Sequence, residues 1–328
     1  MSAGNNRARA LLSAFAPFLG LISILALTGL YGHFFKPDAT FFSGHRLALI
    51  AKQSSIVGIG ALGMTAVIAA GGIDLSVGAI LALASVTLAQ ALAAGWDPLL
   101  ALAATIAVGV AAGALNGALV TSLRLVPFIV TLGTMLAYRG LAEAIADERK
   151  IAAAAPAWLA GLLDPPLAGS LQLVPSGVWI IAVLATLLAV VLQRTVFGRH
   201  VFAIGSNEAT ARLCGVAVNR RKIEVYALCG FFMALAGVLE FGNLNSQGSP
   251  SSGFGAELNM IAAVVIGGGS LNGGRGSVLG SLVGALMITT LGAGCAFAEI
   301  SEPVQKIVTG SIIVAAVALD RTRQRNAA

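Results

Sequence analysis

Apolar runs of about 20 residues recur along this chain, and each is long enough to cross about 30 Å of hydrocarbon as a helix. We identify ten, at roughly 11–31, 50–71, 75–95, 99–120, 126–145, 174–192, 223–243, 258–270, 277–295 and 303–320. Only 10% of the residues are charged, which is too little polar surface for a soluble domain. The sequence therefore predicts an all-α polytopic membrane protein of about ten transmembrane helices, forming a single transmembrane domain over 1–328.

Lysine and arginine set the expected orientation, because cytoplasmic loops are enriched in them. Ten crossings put both termini on one side. If that side is the cytoplasm, the inner segments carry most of the basic residues: Arg7, Arg9, Arg124, Arg194, Arg199, Arg212, Arg220, Arg221, Lys222, Arg275, Arg321, Arg323 and Arg325. We therefore expect both termini to be cytoplasmic. The net charge of +6 is then explained by these loops and by contact with membrane lipid, and no nucleic-acid partner is expected.

The segment 258–270 is short for a crossing, and runs of this length are often re-entrant. We keep it as a short crossing, because otherwise the basic tail after 319 would move outside, against the charge rule. The preceding Gly/Ser/Pro stretch, 248–257, can lie at membrane depth only if it is buried in protein or lines a cavity.

Two glycine-rich stretches resemble each other: VIAAGGIDLSVGAILAL from Val67 and VVIGGGSLNGGRGSVLGSL from Val264. Each reads as an apolar helix, a break and a second helix. Broken helices in transporters commonly border the substrate path. We therefore place candidate residues of a translocation path at the two breaks and in the span at 99–120, namely Gly71, Gly72, Asp74, Ser76, Asn116, Gly268 and Asn272.

Asp74 is the only formal charge between Lys52 and Asp97. A lone carboxylate in hydrocarbon costs about 2.5–3.5 kcal/mol on insertion scales. It either caps the next helix through the free N–H groups of 75–77, which we favour, or faces an aqueous path and acts on substrate or a proton. For Asn116, interhelical hydrogen bonding is favoured over contact with solute.

Small residues also recur at helical spacing, in two series: Gly109, Gly113 and Gly117, then Gly276, Gly280 and Gly284. We favour close helix packing over pore lining for both. The three cysteines lack metal or redox spacing, and no constellation of catalytic residues is visible. The sequence therefore predicts no catalytic, cofactor or metal site, and we do not expect an enzyme.

The longest polar loop, about 193–222, contains NEATARLCGV. An Asn start, an early Glu and a Gly stop predict a short helix there. Such a helix could lie on anionic lipid or fit a groove on a soluble partner, and composition does not decide between them.

Four blocks that occur in order carry a resemblance to a known family. They are GGIDLSVGAILALASV, LNGALVTSLRLVPFIVTLGTM, GRHVFAIGSNEATARLCGV and ELNMIAAVVIGGGSLNGGRGSVLGSLVGALMI. Together they resemble the sugar-transporting permeases of bacterial ABC importers, in the ribose, xylose and galactoside branch, over about 45–320. The resemblance implies a type II importer permease fold in the inner membrane. Two permease subunits, most simply a homodimer, would enclose one path, with cytoplasmic ATPase subunits below and a periplasmic sugar-binding protein above.

The resemblance also assigns roles. It maps the family's coupling helix, which docks on the ATPase, onto Gly205, Asn207, Glu208, Ala211 and Arg212. The chain lacks a GxxxxGK[ST] loop, so ATP hydrolysis falls to a partner. The implied function is ATP-driven import of a pentose or hexose by alternating access. The alternatives are an ABC permease for branched-chain amino acids and an ion-coupled secondary transporter.

Overall fold

The computed structural model describes residues 3–36, 40–164 and 175–325, which are predominantly helical. The helices are α1 (Ala3–Phe35), α2 (Gly44–Ala69), α3 (Val77–Ala93), α4 (Pro98–Ser122), α5 (Pro127–Ile145), α6 (Ala157–Ala160), α7 (Ser176–Arg194), α8 (Val196–Ser206), α9 (Glu208–Leu213), α10 (Val218–Asn243), α11 (Ala256–Ile266), α12 (Val278–Phe297) and α13 (Glu302–Arg325). Two short strands, β1 (Ile151–Ala152) and β2 (Gln247–Gly248), pair antiparallel. The prediction of an all-α protein is confirmed.

Seven of the described helices are long and apolar enough to cross a membrane: Pro17–Phe35 within α1, and α2, α4, α5, α7, α10 and α12. The other three predicted spans lie in α3, α11 and α13, outside this set. The breaks shorten α3 and α11. The 11 residues of α11 extend only about 16 Å at 1.5 Å per residue, so the helix alone is about half a crossing.

The segment between α10 and α11 is folded against protein. A Cβ on Gly248 would lie 2.6 Å from the Ala89 Cβ and 2.7 Å from the Ser85 carbonyl oxygen, both in α3. A Cβ on Gly253 would lie 2.7 Å from the Gly78 carbonyl oxygen of the same helix. The Arg139 guanidinium of α5 donates 2.6 Å hydrogen bonds to the carbonyls of Pro250 and Ser252. Gly248–Pro250 and Ser252 are thus buried against protein, whereas Phe254 is 89% exposed.

The core is built around α2, α3 and α10. The first glycine series of α4 lies at its closest approach to α10: a Cβ on Gly109 would come 2.6 Å from the Gly230 carbonyl oxygen, and one on Gly117 would come 2.6 Å from the Cα of Ile223. In the second series, Gly284 of α12 meets the backbone of Ala263 in α11. Both series therefore serve helix packing, as favoured from the sequence. Large apolar side chains on α4, α5 and α7 remain exposed, as lipid-facing surfaces are.

Candidate functional site

The first helix break, Ala70–Ser76, joins α2 to α3. Gly71 turns the chain with a φ of 80°. The break is then held against α5, because the Thr131 hydroxyl oxygen accepts the Leu75 N–H at 3.1 Å and lies 3.3 Å from the Ile73 carbonyl oxygen. A neighbouring span thus supplies partners for backbone groups that the interrupted helix cannot pair.

Asp74 is fully buried at the centre of this break. Its Oδ1 accepts the Ser76 N–H at 2.8 Å and the Ser76 hydroxyl at 2.6 Å. The Asn116 amide of α4 donates to the Ser76 hydroxyl at 2.7 Å and lies 3.4 Å from Asp74 Oδ2. The Tyr138 hydroxyl of α5 lies within hydrogen-bond distance of two acceptors, the Ala112 carbonyl oxygen at 2.9 Å and Asn116 Oδ1 at 3.1 Å. We call Asp74, Ser76, Asn116 and Tyr138 the carboxylate network.

Hydrogen bonds, rather than a cation, satisfy this carboxylate: within the described ranges no Lys, Arg or His forms an ion pair with Asp74. The donors run in one direction, from the Asn116 amide to the Ser76 hydroxyl to the carboxylate, an order in which each bond polarises the next. Ser76 supplies one of the three N–H groups that Asp74 was expected to cap. The network also joins α3, α4 and α5, so Asn116 makes interhelical hydrogen bonds.

The second break, Gly267–Ser277, joins α11 to α12. In this break, backbone groups rather than side chains make most of the contacts. Gly268, Gly273 and Gly274 have φ values of 94°, 84° and 72°, which L side chains rarely adopt. The Ser270 N–H donates to the Arg275 carbonyl at 3.2 Å, and the Asn272 N–H lies 3.3 Å from Ser270 Oγ.

The two breaks meet at one residue of a third segment, Gly205 in α8. A Cβ on Gly205 would lie 2.5 Å from the Gly274 nitrogen and closer still to the Ala69 carbonyl oxygen. The Gly274 N–H donates to that same carbonyl at 3.0 Å. A Cβ on Gly273 would be 2.5 Å from the Gly205 carbonyl oxygen, and a Cβ on Gly71 would be 3.5 Å from the Gly205 Cα. We call Ala69, Gly71, Gly205, Gly273 and Gly274 the glycine junction.

The predicted short helix follows the junction directly. Asn207 caps α9 by accepting the Thr210 N–H at 2.9 Å, and Gly215 ends it with a φ of 83°. Glu208 pairs with Lys222 of α10 at 2.6 Å and with Arg212 at 3.1 Å. The hydrogen bond from Lys222 is the main cause of a lowered pKa for Glu208.

The residues of α9 divide between an inner and an outer face. Ala211 is buried in a small apolar cluster with Ile204 and Val218, so it fixes α9 to its base. Leu213 is 88% exposed, and Cys214 beside it is also exposed.

The cavity beside the first break is small. Gly71, Gly72, Lys222 and Tyr226 are among its lining residues, and its volume is about 10 Å³, room for about one water molecule. Binding sites for small solutes enclose about 300–1,000 Å³. This cavity is therefore too small to hold a sugar.

The structure brings Asp74, Ser76 and Asn116 together and places Gly268 and Asn272 in the other break. Sequence reasoning missed Thr131 and Tyr138. The available signal was the polarity of both side chains, seven residues apart and so on one face of α5. The meeting of Gly205 with both breaks had no such signal, because it joins residues far apart in the chain.

Comparisons with known proteins identify relatives by sequence. Residues 46–317 match a family described as a branched-chain amino acid transport system permease component. The chain is 38% identical over 308 residues to the ribose import permease protein of Escherichia coli (strain K12), covering 92% of this chain and 94% of that one. It is 37% identical to the ribose import permease protein of Bacillus subtilis (strain 168), over 94% and 92%. It is 39% identical to the fructose import permease protein of Rhizobium meliloti, over 88% and 81%. No solved structure matches the chain.

Proposed function

The chain belongs to the permease components of ABC importers, among the sugar import permeases, and from this premise we propose that it is the membrane subunit of an ATP-driven monosaccharide importer. In this proposal two copies enclose one path in the inner membrane. A periplasmic binding protein delivers a pentose or hexose, and ATPase subunits on the cytoplasmic side drive alternating access. The whole chain, 1–328, acts as one permease domain.

The observation that carries the proposal is the α8–α9 segment. Its short helix is capped, braced by Lys222 and seated on the buried Ala211, so it is held rigidly, while Leu213, Arg212 and Glu208 remain accessible. A rigidly held, charged helix with one exposed apolar residue can bind in a groove on a soluble protein. Contact with lipid would not need such bracing. We therefore assign α9 as the surface that docks on the ATPase.

The docking assignment is tested by the double variant Glu208→Ala/Arg212→Ala. A matched control is Glu302→Ala/Lys306→Ala, which removes another exposed i,i+4 ion pair, at 2.9 Å in α13. We expect the first variant to lose ATPase co-purification and most ATP-driven uptake in reconstituted vesicles, and the control to keep both. Normal co-purification and uptake by a well-expressed Glu208/Arg212 variant would mean that α9 is not the docking surface.

The proposed orientation puts α9 and both termini in the cytoplasm, and the native cysteines provide a test. Cys214 is exposed, whereas Cys229 and Cys295 are buried. A membrane-impermeant maleimide should therefore label the protein in inverted vesicles but not in spheroplasts, and Cys214→Ala should abolish the labelling. Labelling of Cys214 from the outside would reverse the topology and refute the docking proposal with it.

The energy source separates this proposal from an ion-coupled transporter. Ion coupling usually relies on exposed ionisable groups in the membrane, and here Asp74 is sequestered by hydrogen bonds. We expect uptake to stop on ATP depletion and to survive collapse of the proton and sodium gradients. The reverse pattern would establish the ion-coupled alternative.

The family description leaves amino acids as a second substrate class, since it refers to branched-chain amino acids. The named relatives import ribose, fructose and allose, which is why we propose a monosaccharide. Uptake of radiolabelled pentoses, hexoses, leucine and isoleucine, each with the cognate binding protein, decides between them.

A further inference from the structure

We propose that Gly205 is a positioning residue through which α8 and the two helix breaks move as one body, so that displacement of α9 reaches both breaks together. This inference rests on the proposed function, in which an ATPase moves α9. It goes further by naming the contact that transmits the movement and by stating that the contact stays closed throughout the transport cycle.

The contact at Gly205 is made by backbone on backbone. The Ala69 carbonyl of α2 and the Gly274 nitrogen of the second break occupy the space that a side chain on Gly205 would fill. Those two groups are also hydrogen-bonded to each other at 3.0 Å. This hydrogen bond joins the end of α2, next to the first break, to the second break. Gly205 of α8 packs against both of its partners.

Interlocked backbones of this kind have little freedom to slide. Side chains repack by changing rotamer, but Gly71, Gly205, Gly273 and Gly274 offer no side chain to rearrange. Moving α8 away would uncover the Gly274–Ala69 hydrogen bond and lose the close backbone contacts made at Gly205. The segments can therefore shift together more easily than apart.

The junction is continuous with the proposed docking helix. The Asn207 N–H donates to the Ala203 carbonyl at 3.0 Å, so the last turn of α8 ends where α9 begins. The junction residue and the α9 cap are thus two positions apart. No flexible linker separates α9 from the junction, so a displacement of α9 is transmitted to Ala69 and Gly273.

The first test is Gly205→Ala. Gly205 lies within α8, so alanine fits its helical backbone, and the added methyl group acts only by forcing the three segments apart. We expect the ATPase to remain bound and to hydrolyse ATP, while sugar uptake per ATP hydrolysed falls about tenfold. Gly310→Ala is the matched control, since a Cβ at Gly310 in α13 meets nothing within 4 Å. Full coupling in Gly205→Ala would overturn the inference.

The second test joins the segments covalently and does not depend on how well Gly205→Ala folds. A Cβ on Gly274 would lie 3.2 Å from the Ser206 Cβ, close to the about 3.5–4.5 Å of a disulfide. We would make Ser206→Cys/Gly274→Cys with the three native cysteines replaced, and Ser206→Cys alone as control. The oxidised double variant should transport as fast as its reduced form, because the segments never separate.

Two results of the cross-linking test contradict the inference. Uptake that stops on oxidation and returns with reductant would mean that the junction opens during transport. Failure to cross-link would mean that the segments are not in contact. In either case, ATP-driven uptake by the unmodified protein would leave the proposed function standing, so the two failures are distinguishable.

Discussion

The two helix breaks share a plan but satisfy their polar groups in different ways. In the first, Ala70–Ser76, side chains from three helices converge on a buried carboxylate. In the second, Gly267–Ser277, glycines with positive φ let the backbone fold against itself and against α8. The first break thus depends on chemical groups, whereas the second depends on the absence of side chains.

This difference teaches that a break inside a membrane protein has two stable solutions. Backbone N–H and C=O groups that lack a hydrogen-bond partner cannot be exposed to lipid. Either polar side chains are brought to them, at the cost of burying those side chains, or a tight glycine turn pairs them locally. Removing a functional group should therefore damage the first break, and adding a methyl group should damage the second.

The largest effect is expected for Asp74→Ala. The change leaves the Ser76 and Asn116 donors buried without their acceptor, which should cost about 3 kcal/mol. Thermal unfolding can be followed with a thiol-reactive dye that reports exposure of the buried Cys229 and Cys295. Asp97→Ala is the control, because Asp97 caps α4 at the exposed surface and should cost only about 1 kcal/mol. Equal shifts would mean that the network adds nothing beyond capping.

The next effect is in the second break. Gly273→Ala combines an unfavourable φ of 84° with a clash at Gly205 and should cost about 2 kcal/mol. Gly268→Ala has a similar φ, 94°, but meets nothing within 4 Å, so it should cost only about 1 kcal/mol. The same dye assay measures both. If the two variants unfold alike, the junction contact contributes nothing to stability.

A smaller effect is expected at the end of the carboxylate network. Tyr138→Phe removes a hydroxyl bonded to Ala112 and Asn116 and should cost about 1 kcal/mol. Tyr226→Phe removes a buried hydroxyl for which the described residues provide no hydrogen-bond partner, so it should be neutral or slightly stabilising. A larger loss for Tyr226→Phe would reverse this ranking.

The smallest effect lies outside both breaks, at Glu208, where water and salt screen the charges. Lys222 lowers the pKa of Glu208, so the pair stabilises α9 above the ordinary Glu pKa, and that stability is lost as pH falls through the lowered value. At pH 7, amide exchange in 207–214 should be slower in the unmodified protein than in Glu208→Gln. The difference should shrink as the pH falls below the ordinary Glu pKa and vanish once Glu208 is protonated in the folded protein. A difference that persists in acid would point to another cause.

Much of the fold was predictable because it follows from local physics. The apolar runs required membrane helices, and GGIDLSVG and GGGSLNGGRG marked both interruptions. The α9 helix was predicted from its Asn207 cap and its stop at Gly215, since capping depends on a few neighbouring residues. The span predicted at 75–95 agrees with α3 to within two residues at each end. The span predicted at 258–270 instead ends at Ile266, because where a broken helix stops depends on its packing partners.

The sequence by itself determined that the chain lies in a membrane, where its helices break and which loop carries a short exposed helix, since hydropathy, glycine and capping act over short distances. Only the tertiary structure decided which residues meet. The carboxylate of Asp74 is satisfied by groups from α4 and α5, and Gly205 touches both breaks, because side-chain hydrogen bonds and backbone contacts form between segments that folding brings together.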